Sequence, residues 1–223
     1  MTNQSFSDFQ TTELDVFRIK RRSLKRIFDV SASLALLIIL APVFASIALA
    51  VFVLNGGPIL YGHRRIGKDG AVFRCWKFRT MVLDADKKLE EVLAESPEAQ
   101  AEWARTHKLK NDPRIIPGIG NLLRRTSLDE LPQIFNVISG EMSLVGPRPV
   151  VEKELEYFGA ARRHYLSVRP GLTGPWQVGE RSDGCFASRV QSDRSYVENW
   201  SFAKDVMILL RTAGVPFRRN GAY

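Results

Sequence analysis

The longest continuous pattern in the chain is an apolar segment, residues 31–54, that contains no charged side chain. As a straight helix this segment would be about 36 Å long, more than the roughly 30 Å of a bilayer's hydrocarbon core. Pro42 lies near its middle, where a proline removes one backbone hydrogen bond and bends or breaks a helix. The pattern therefore predicts a membrane helix that is interrupted at Pro42.

Basic residues flank this segment on both sides. Six Lys or Arg lie within residues 18–26, and six more lie within residues 64–79. The positive-inside rule places basic flanks in the cytoplasm, so a spanning helix should have one flank poor in Lys and Arg. We therefore predict a re-entrant membrane helix over residues 24–56, broken at Pro42, that enters and leaves by the same face. Ser46 is a candidate partner for a carbonyl exposed at the bend. A simple spanning helix is the alternative.

The start of the chain, residues 1–23, is predicted to be a flexible basic N-terminal tail, because it is polar and shows no strong periodicity. It lacks a cationic start that leads directly into an apolar stretch, so it does not resemble a cleavable signal peptide. Asp29 follows Arg26 by three residues, and we expect the two side chains to pair at the membrane interface.

Short elements follow from residue 57 to residue 223. Two strands are predicted over residues 59–65 and 71–80, joined by a turn at 68–70. Lys77 and Arg79 are two residues apart and should share a face of the second strand. Apolar periodicity and helix breakers predict helices over residues 84–95, 97–107, 133–139, 152–165 and 201–213, with a short helix or loop over 119–125. The fold class is therefore mainly α with small β elements, an α+β arrangement.

The last predicted helix carries an apolar stripe made of Phe202, Val206, Leu209, Leu210 and Ala213. Such a stripe most often faces a core, and that is our prediction. Basic residues follow it, so partial burial in an anionic lipid surface is the alternative.

A formal charge of +8 and a pI near 9.7 indicate an anionic partner, which could be nucleic acid, a lipid surface or a phosphorylated substrate. No known groove-reading motif is present, so we predict no nucleic-acid binding. Cys75 and Cys185 are too few for a disulfide framework and indicate a reducing compartment. His63, His107 and His164 lack metal-ligand spacing and are interpreted as structural or surface residues.

The segment 126–133 contains the adjacent acids Asp129 and Glu130. One interpretation is a helix-capping box, with Ser127 as the cap and Glu130 three residues later. Pro132 argues against it, because a proline at the fifth helical position lacks a needed N–H. If the helix begins later, near residue 131, both acids are free to face a ligand.

Several cations stand in stiff loops or beside the acids. Arg148 lies between two prolines, which fix the loop and leave a guanidinium fork suited to two phosphate oxygens. The further candidate phosphate-binding residues are Arg124, Lys77, Arg79 and Arg169. Paired acids among such cations suit a reaction in which a carboxylate attacks phosphorus and a divalent metal bridges acid and phosphate.

Five ordered motifs together resemble the monotopic phosphoglycosyl transferases, the bacterial sugar transferase family. They are Lys77-Phe-Arg-Thr-Met81, Asn111-Asp-Pro-Arg114, Leu123-Arg-Arg-Thr-Ser-Leu-Asp-Glu-Leu-Pro-Gln133, Gly140-Glu-Met-Ser-Leu-Val-Gly-Pro-Arg-Pro149 and Arg169-Pro-Gly-Leu-Thr-Gly174. The resemblance runs from about Lys25 to the C-terminus.

The resemblance implies transfer of a sugar 1-phosphate, with galactose or glucose as the sugar, from a UDP-sugar to undecaprenyl phosphate, with release of UMP. It implies that Asp129 is the nucleophile of a phosphosugar-aspartate intermediate and that Glu130 assists with Mg2+, so that the two acids form the metal site. Arg124 and Arg148 are expected near phosphate.

The implied architecture is a re-entrant helix plus a compact cytoplasmic catalytic domain, residues 57–223, with interfacial amphipathic helices at the bacterial inner membrane. The process implied is the first membrane step of exopolysaccharide synthesis, and a homodimer is left open. A noncatalytic membrane scaffold for polysaccharide assembly is the alternative function.

Two positions depart from the family's pattern. Ala41 precedes Pro42 where members often carry serine, which removes one partner for the bent backbone. Gly179-Glu180 precedes Arg181 where a small residue and glycine are common, which leaves the role of Arg181 open.

Overall fold

The computed structural model describes residues 4–106, 109–179 and 185–214, with side chains from Ser23 onward except that of Thr106. The described chain is mainly helical with two small sheets, which agrees with the predicted mainly α class with small β elements. His107 and Arg181 lie outside the described residues. The helices are α1 (Gln4–Asn55), α2 (Ala85–Glu95), α3 (Pro97–Thr106), α4 (Gly120–Thr126), α5 (Gln133–Ser139), α6 (Glu152–Glu156), α7 (Arg162–Leu166), α8 (Pro175–Val178), α9 (Phe186–Glu198) and α10 (Phe202–Ala213).

Helix α1 is one continuous element that contains Pro42. The helix has no gap at Pro42, and the re-entrant break there stays a prediction. A proline removes a single N–H, and the bonds on either side can carry the helix through that position. Ser46 Oγ donates to the Pro42 carbonyl at 2.8 Å, as the sequence suggested. The backbone of residues 4–22 continues the helix, and the flexibility of the N-terminal tail stays a prediction.

The two ends of the apolar part of α1 pack on the globular domain, whereas its middle does not. Asp29 and Ser33 are buried near one end, and Ile47 and Val51 are buried near the other. Residues 38 and 39, both isoleucine, are more than 70% exposed between them. The segment 23–55 is long and apolar enough to cross a membrane.

The predicted pairing of Asp29 with Arg26 is wrong. Asp29 accepts hydrogen bonds from Ser143 Oγ at 2.7 Å and from the Leu144 amide at 3.3 Å. Arg26 instead donates to the carbonyls of Val137 and Ile138 at the end of α5. Tertiary partners thus override the local spacing of three residues.

The first sheet is the predicted hairpin of β1 (Leu60–Ile66) and β2 (Val72–Phe78), which pair antiparallel. The turn lies at residues 68–70, and Asp69 has a left-handed backbone, with φ 56°. In the second sheet β3 (Ser143–Val145) runs parallel to β4 (Gly171–Thr173). The sequence interpretation missed both of these three-residue strands, because they are too short to show periodicity.

The structure corrects three further expectations about the helices. The single helix over residues 152–165 is wrong: α6 and α7 are separate, and Gly159 lies between them with φ 49°. The assignment of the last stripe to the core is wrong for several of its residues, since Phe202, Val206 and Leu210 are exposed. The buried residues of α10 include Asp205 and Ile208, which are not part of that stripe. Helix α9 was not predicted.

Three apolar clusters form the core. The largest joins β2, α5, β3 and α10, and another joins the end of α1 to β2 and α4. This arrangement places β2 and α5 at the centre of the globular domain, on either side of the acidic segment.

Candidate active site

The two acids lie on a short turn between two helices. Helix α4 ends where Ser127 adopts a left-handed backbone, with φ 57°, and residues 128–130 form one 3-10 turn. Helix α5 then begins at Gln133 with Pro132 as its N-cap, and Ser127 makes no capping side-chain bond. The capping-box interpretation is therefore wrong, and the later helix start is confirmed. The reason is Pro132, whose missing N–H fits ahead of a helix better than inside one.

Lys77 of β2 contacts both acids. Its Nζ lies 2.7 Å from Glu130 Oε1 and 3.8 Å from Asp129 Oδ2. The Asp129 residue is buried, whereas Lys77 and Glu130 are partly exposed. The ammonium therefore holds the two carboxylates together at the edge of a solvent-accessible site.

The Asp129 carboxyl has a raised pKa. Burial is the largest cause, because it disfavours the charged form, and the neighbouring Glu130 also raises the pKa. The charges of Lys77 and Arg124 act in the opposite direction. The ionised form of Asp129 is thus a poorly solvated carboxylate that depends on nearby cations.

Asn136 of α5 holds the strand that carries Lys77. Its side-chain oxygen accepts from the backbone N–H of Trp76 at 3.0 Å, and its side-chain nitrogen donates to the backbone carbonyl of Arg74 at 2.7 Å. The same nitrogen donates to Glu141 Oε2 at 2.6 Å. The fully buried Asn136 thus replaces a neighbouring strand for β2 and fixes the backbone next to Lys77.

Arg148 approaches the acids from the loop after β3. Its Nη1 is 4.0 Å from Glu130 Oε1, and its side chain stays partly exposed. The Arg148 carbonyl accepts from Nη2 of the buried Arg189 at 3.3 Å, which fixes the loop from behind. The Arg148 guanidinium thus lies beside Glu130, and its exposed part is free to contact a ligand.

Two of the predicted phosphate-binding arginines donate to backbone carbonyls. Arg79 Nε donates to the Pro58 carbonyl at 2.9 Å, because β2 ends at Phe78 and the chain turns away. Arg169 Nε donates to the Gly140 carbonyl at 2.6 Å, beyond the end of α5. Among the described residues, the structure thus brings Lys77, Arg148 and Arg124 to the acids.

The hairpin adds residues that the sequence interpretation assigned to the surface or left out. Tyr61 lies directly opposite Lys77, and His63 lies opposite Cys75. The Arg65 guanidinium donates to His63 Nδ1 at 3.2 Å and to the Pro149 carbonyl at 3.3 Å. The strand alternation carries the signal that would have found them, because residues opposite Lys77 share its face.

The two carboxylates of the site could bind Mg2+ if substrate phosphates supply further ligands. In the described part of the chain no three potential ligands of the His, Cys, Asp and Glu types cluster. Mg2+ is commonly held by one or two carboxylates together with substrate phosphates, and Asp129 and Glu130 match that pattern. The residues present therefore fit a metal that arrives with its phosphate ligands.

A buried aspartate beside a second acid, a lysine and an arginine is the arrangement expected of an enzyme that acts on phosphate esters. Comparison with known proteins narrows that class. The chain belongs to the bacterial sugar transferase family, whose sequence profile matches residues 20–219.

Three relatives illustrate the similarity. The chain is 50% identical over 202 residues to the undecaprenyl-phosphate galactose phosphotransferase of Salmonella typhimurium, covering 91% of this chain and 42% of that protein. It is 49% identical over 199 residues to the exopolysaccharide production protein ExoY of Rhizobium meliloti, covering 89% and 88%. It is 36% identical over 211 residues to the UDP-glucose:undecaprenyl-phosphate glucose-1-phosphate transferase of Escherichia coli, covering 91% and 42%. The chain thus spans less than half the length of the first and third of these proteins.

Proposed function

We propose that this chain transfers a hexose 1-phosphate, with galactose or glucose as the hexose, from a UDP-sugar to undecaprenyl phosphate and releases UMP. The product would be the first lipid-linked sugar of an exopolysaccharide. The observation that carries the proposal is Asp129, a buried carboxylate held beside Glu130 by one lysine ammonium, in a chain of this family. The names of the relatives support the substrate class.

The proposed reaction has two displacement steps. An oxygen of the Asp129 carboxylate attacks the phosphorus that bears the hexose, a new O–P bond forms, and the bond from that phosphorus to UMP breaks. A phosphate oxygen of undecaprenyl phosphate then attacks the same phosphorus, and the bond to Asp129 breaks. Splitting one difficult transfer into two steps is the general advantage of a covalent intermediate.

The neighbours of Asp129 have separate roles in this proposal. Lys77 keeps the carboxylate ionised and oriented, because it is the cation in contact with both acids. Arg148 binds phosphate oxygens from the partly exposed side of Glu130. Arg124 adds positive charge near Asp129. Mg2+ bound by Glu130, Asp129 and the substrate phosphates would neutralise charge on the transferred group.

We further propose that α1 is re-entrant at the bacterial inner membrane and that the acids face the cytoplasm. Arg26 and Phe44 are 18 residues apart, which is about 27 Å in a straight helix. Both contact α5, whose seven residues extend only about 10 Å: Arg26 binds carbonyls at its end, and the ring of Phe44 lies 5.9 Å from that of Phe135. These contacts favour a bend that leaves the exposed middle of α1 to enter lipid.

The exposed apolar face of α10 supports the same placement. Phe202 and Leu210 are exposed on it, and Phe28 of α1 meets Phe202 with ring centroids 5.0 Å apart. This face lies beside the start of the membrane segment, as expected of an interfacial amphipathic helix. The acids would then lie close enough to the membrane surface to meet a lipid phosphate.

The reaction is tested by UMP release from a panel of UDP-sugars in the presence of undecaprenyl phosphate. We expect release from UDP-galactose or UDP-glucose, and a hexose phosphate adduct on the peptide containing Asp129 after incubation with donor alone. Unchanged UMP release by Asp129→Asn would contradict the nucleophile. A noncatalytic scaffold would release no UMP from any donor.

The topology is tested by single cysteines placed near residue 55 and at residue 39. Reagents confined to the periplasm should label neither position in intact cells, whereas cytoplasmic reagents should reach the first. Strong periplasmic labelling near residue 55 would restore a spanning helix.

A further inference from the structure

Two aromatic side chains of β1 stand on the same face of the hairpin as Lys77. Tyr61 lies directly opposite Lys77 in the antiparallel register, and directly opposite residues have Cβ atoms about 5 Å apart. The rings of Tyr61 and His63 lie 6.2 Å apart at 46° to each other. Tyr61 is 50% exposed, so part of its side chain is open to solvent.

His63 lies among the charged groups of the site. Its partner across the hairpin is Cys75, whose thiol is influenced by the charges of Lys77, Glu130, Arg65 and Arg148. The charges that act on the His63 ring itself are those of Arg65, Lys77 and Glu154. His63 therefore lies on the same face of the hairpin as Lys77.

The tautomer of His63 is defined by its neighbour. A guanidinium can only donate, so the Arg65 contact makes His63 Nδ1 the acceptor and places the proton of the neutral ring on Nε2. Burial and the charges of Arg65 and Lys77 lower the pKa of His63, which keeps the ring neutral. Within the described residues, no hydrogen bond occupies Nε2 or the Tyr61 hydroxyl.

We propose that Tyr61 and His63 form a platform that binds the hexose ring of the donor. A pyranose has an apolar C–H face that suits an aromatic ring and hydroxyl groups that suit a few fixed polar atoms. Tyr61 offers its ring and its hydroxyl, and His63 offers the Nε2–H donor. This inference rests on the proposed function and adds the residues that hold the sugar.

The hexose fits this position better than the nucleotide. In a UDP-hexose the phosphorus that Asp129 would attack carries the hexose through a single oxygen, whereas the uracil is separated from it by a second phosphate and a ribose. Lys77 contacts Asp129 at 3.8 Å, and Tyr61 is its neighbour across the hairpin. The group next to the attacked phosphorus is therefore the one within reach of the platform.

The experiment separates sugar contacts from nucleotide contacts. For Tyr61→Ala and His63→Ala we would measure KM and kcat for the UDP-hexose that the unmodified protein uses best, and the inhibition constant of UMP, which lacks the hexose. We expect each variant to raise KM about threefold to tenfold, the worth of one aromatic or hydrogen-bonding contact, with an unchanged inhibition constant for UMP. His63→Gln, which retains an N–H donor, should recover at least half of the loss in kcat/KM.

Tyr157→Ala is the matched control, because Tyr157 is also an exposed aromatic residue and its ring contacts Phe186. We expect its KM to remain within twofold of the unmodified value. An equal weakening of UMP and UDP-hexose by Tyr61→Ala would assign the platform to the nucleotide and overturn the proposal, as would an unchanged KM in both alanine variants. Absence of UMP release by the unmodified protein from every UDP-hexose would instead overturn the proposed function, and the platform with it.

Discussion

The protein contains two clusters built from the same parts, each with two carboxylates and one lysine. We call Asp129, Glu130 and Lys77, to which the proposed function assigns catalysis, the catalytic cluster, and Asp29, Asp205 and Lys25 the docking cluster. In both, an ammonium lies between two acids, at 2.7 and 3.8 Å in the first and at 2.6 and 4.0 Å in the second. The lysine contacts alone therefore do not distinguish an active site from a structural joint.

The two clusters differ in the neutral hydrogen-bond donors that contact their carboxylates. Asp205 accepts from Tyr196 Oη at 2.6 Å and from Trp200 Nε1 at 3.0 Å, in addition to Lys25. Asp29 accepts from Ser143 and Leu144. These bonds tie α1 to β3 and α10, and both carboxylates are buried.

Asp129 has fewer partners. In the part of the chain that the structure describes, its partners are Lys77 at 3.8 Å and its own backbone amide, with the Arg124 charge nearby. A carboxylate surrounded by neutral donors is held in place, whereas one whose main side-chain partner is a single cation at 3.8 Å can exchange that contact for a phosphorus centre. The comparison predicts that one cluster controls rate and the other controls stability.

The largest effect is expected at Asp129. Asp129→Asn should lower kcat for UMP release on the order of 10^4-fold or more, because an amide cannot serve as the nucleophile. Thermal unfolding in detergent should be unchanged or occur at higher temperature, since a poorly solvated charge is removed from a buried position. A large drop in unfolding temperature would make the catalytic cluster a structural joint too.

The next effect is expected in the docking cluster. Asp205→Ala leaves the Lys25 ammonium, the Tyr196 hydroxyl and the Trp200 N–H without their acceptor, which should cost about 3–5 kcal/mol in the free energy of unfolding. Activity per folded molecule should stay close to that of the unmodified protein. The exposed acid Asp86 gives the control Asp86→Ala, for which we expect less than about 1 kcal/mol.

The third prediction concerns pH. Lys77 opposes the burial that raises the Asp129 pKa, so Lys77→Met should raise that pKa further. The acid limb of kcat/KM, where activity is lost as Asp129 takes up a proton, should therefore move to higher pH, and kcat should fall about 10^2-fold at neutral pH. Arg79→Met is the control, because Arg79 binds the Pro58 carbonyl and should leave the acid limb in place. If the acid limb of kcat/KM does not move in Lys77→Met, the lysine does not control the pKa of Asp129.

The smallest effect is expected at Arg148, which we compare with Arg169. The sequence analysis assigned both arginines to phosphate binding. Arg148→Lys should lower kcat/KM about tenfold, because lysine cannot offer two parallel N–H bonds to phosphate oxygens. Arg169→Lys, at the Gly140 carbonyl, should change kcat/KM less than about twofold. Equal losses in the two variants would show that position relative to the acids does not decide their roles.

Much of the site could be predicted from the sequence, because its signals are local. Pro132 alone argued that α5 begins after the acids, and Pro147 and Pro149 marked Arg148 as the residue of a stiff loop. The partners of Asp29 could not be predicted in this way. Its nearest basic neighbour in sequence is Arg26, yet Ser143 and Leu144, more than 110 residues away, bind it.

The same limit applies to the face of the hairpin. Strand alternation implies that Tyr61, His63 and Arg65 share one side of β1, but only the register with β2 placed that side next to Lys77. Likewise, spacing marked a stripe on α10 without showing which of its residues would be covered by α1 and β3.

The sequence by itself determined the apolar segment, the first hairpin, the acidic pair and the family, because each depends on residues close together in the chain or on ordered motifs. Only the tertiary structure decided which acid–lysine cluster is closed and which is open. That distinction depends on neutral donors: Ser143 reaches Asp29 across 114 residues of chain, and the fold also turns Tyr196 and Trp200, nine and five residues before Asp205, onto that carboxylate. Hydrogen-bond satisfaction of a buried carboxylate is a property of its surroundings and is not contained in the spacing of the residue itself.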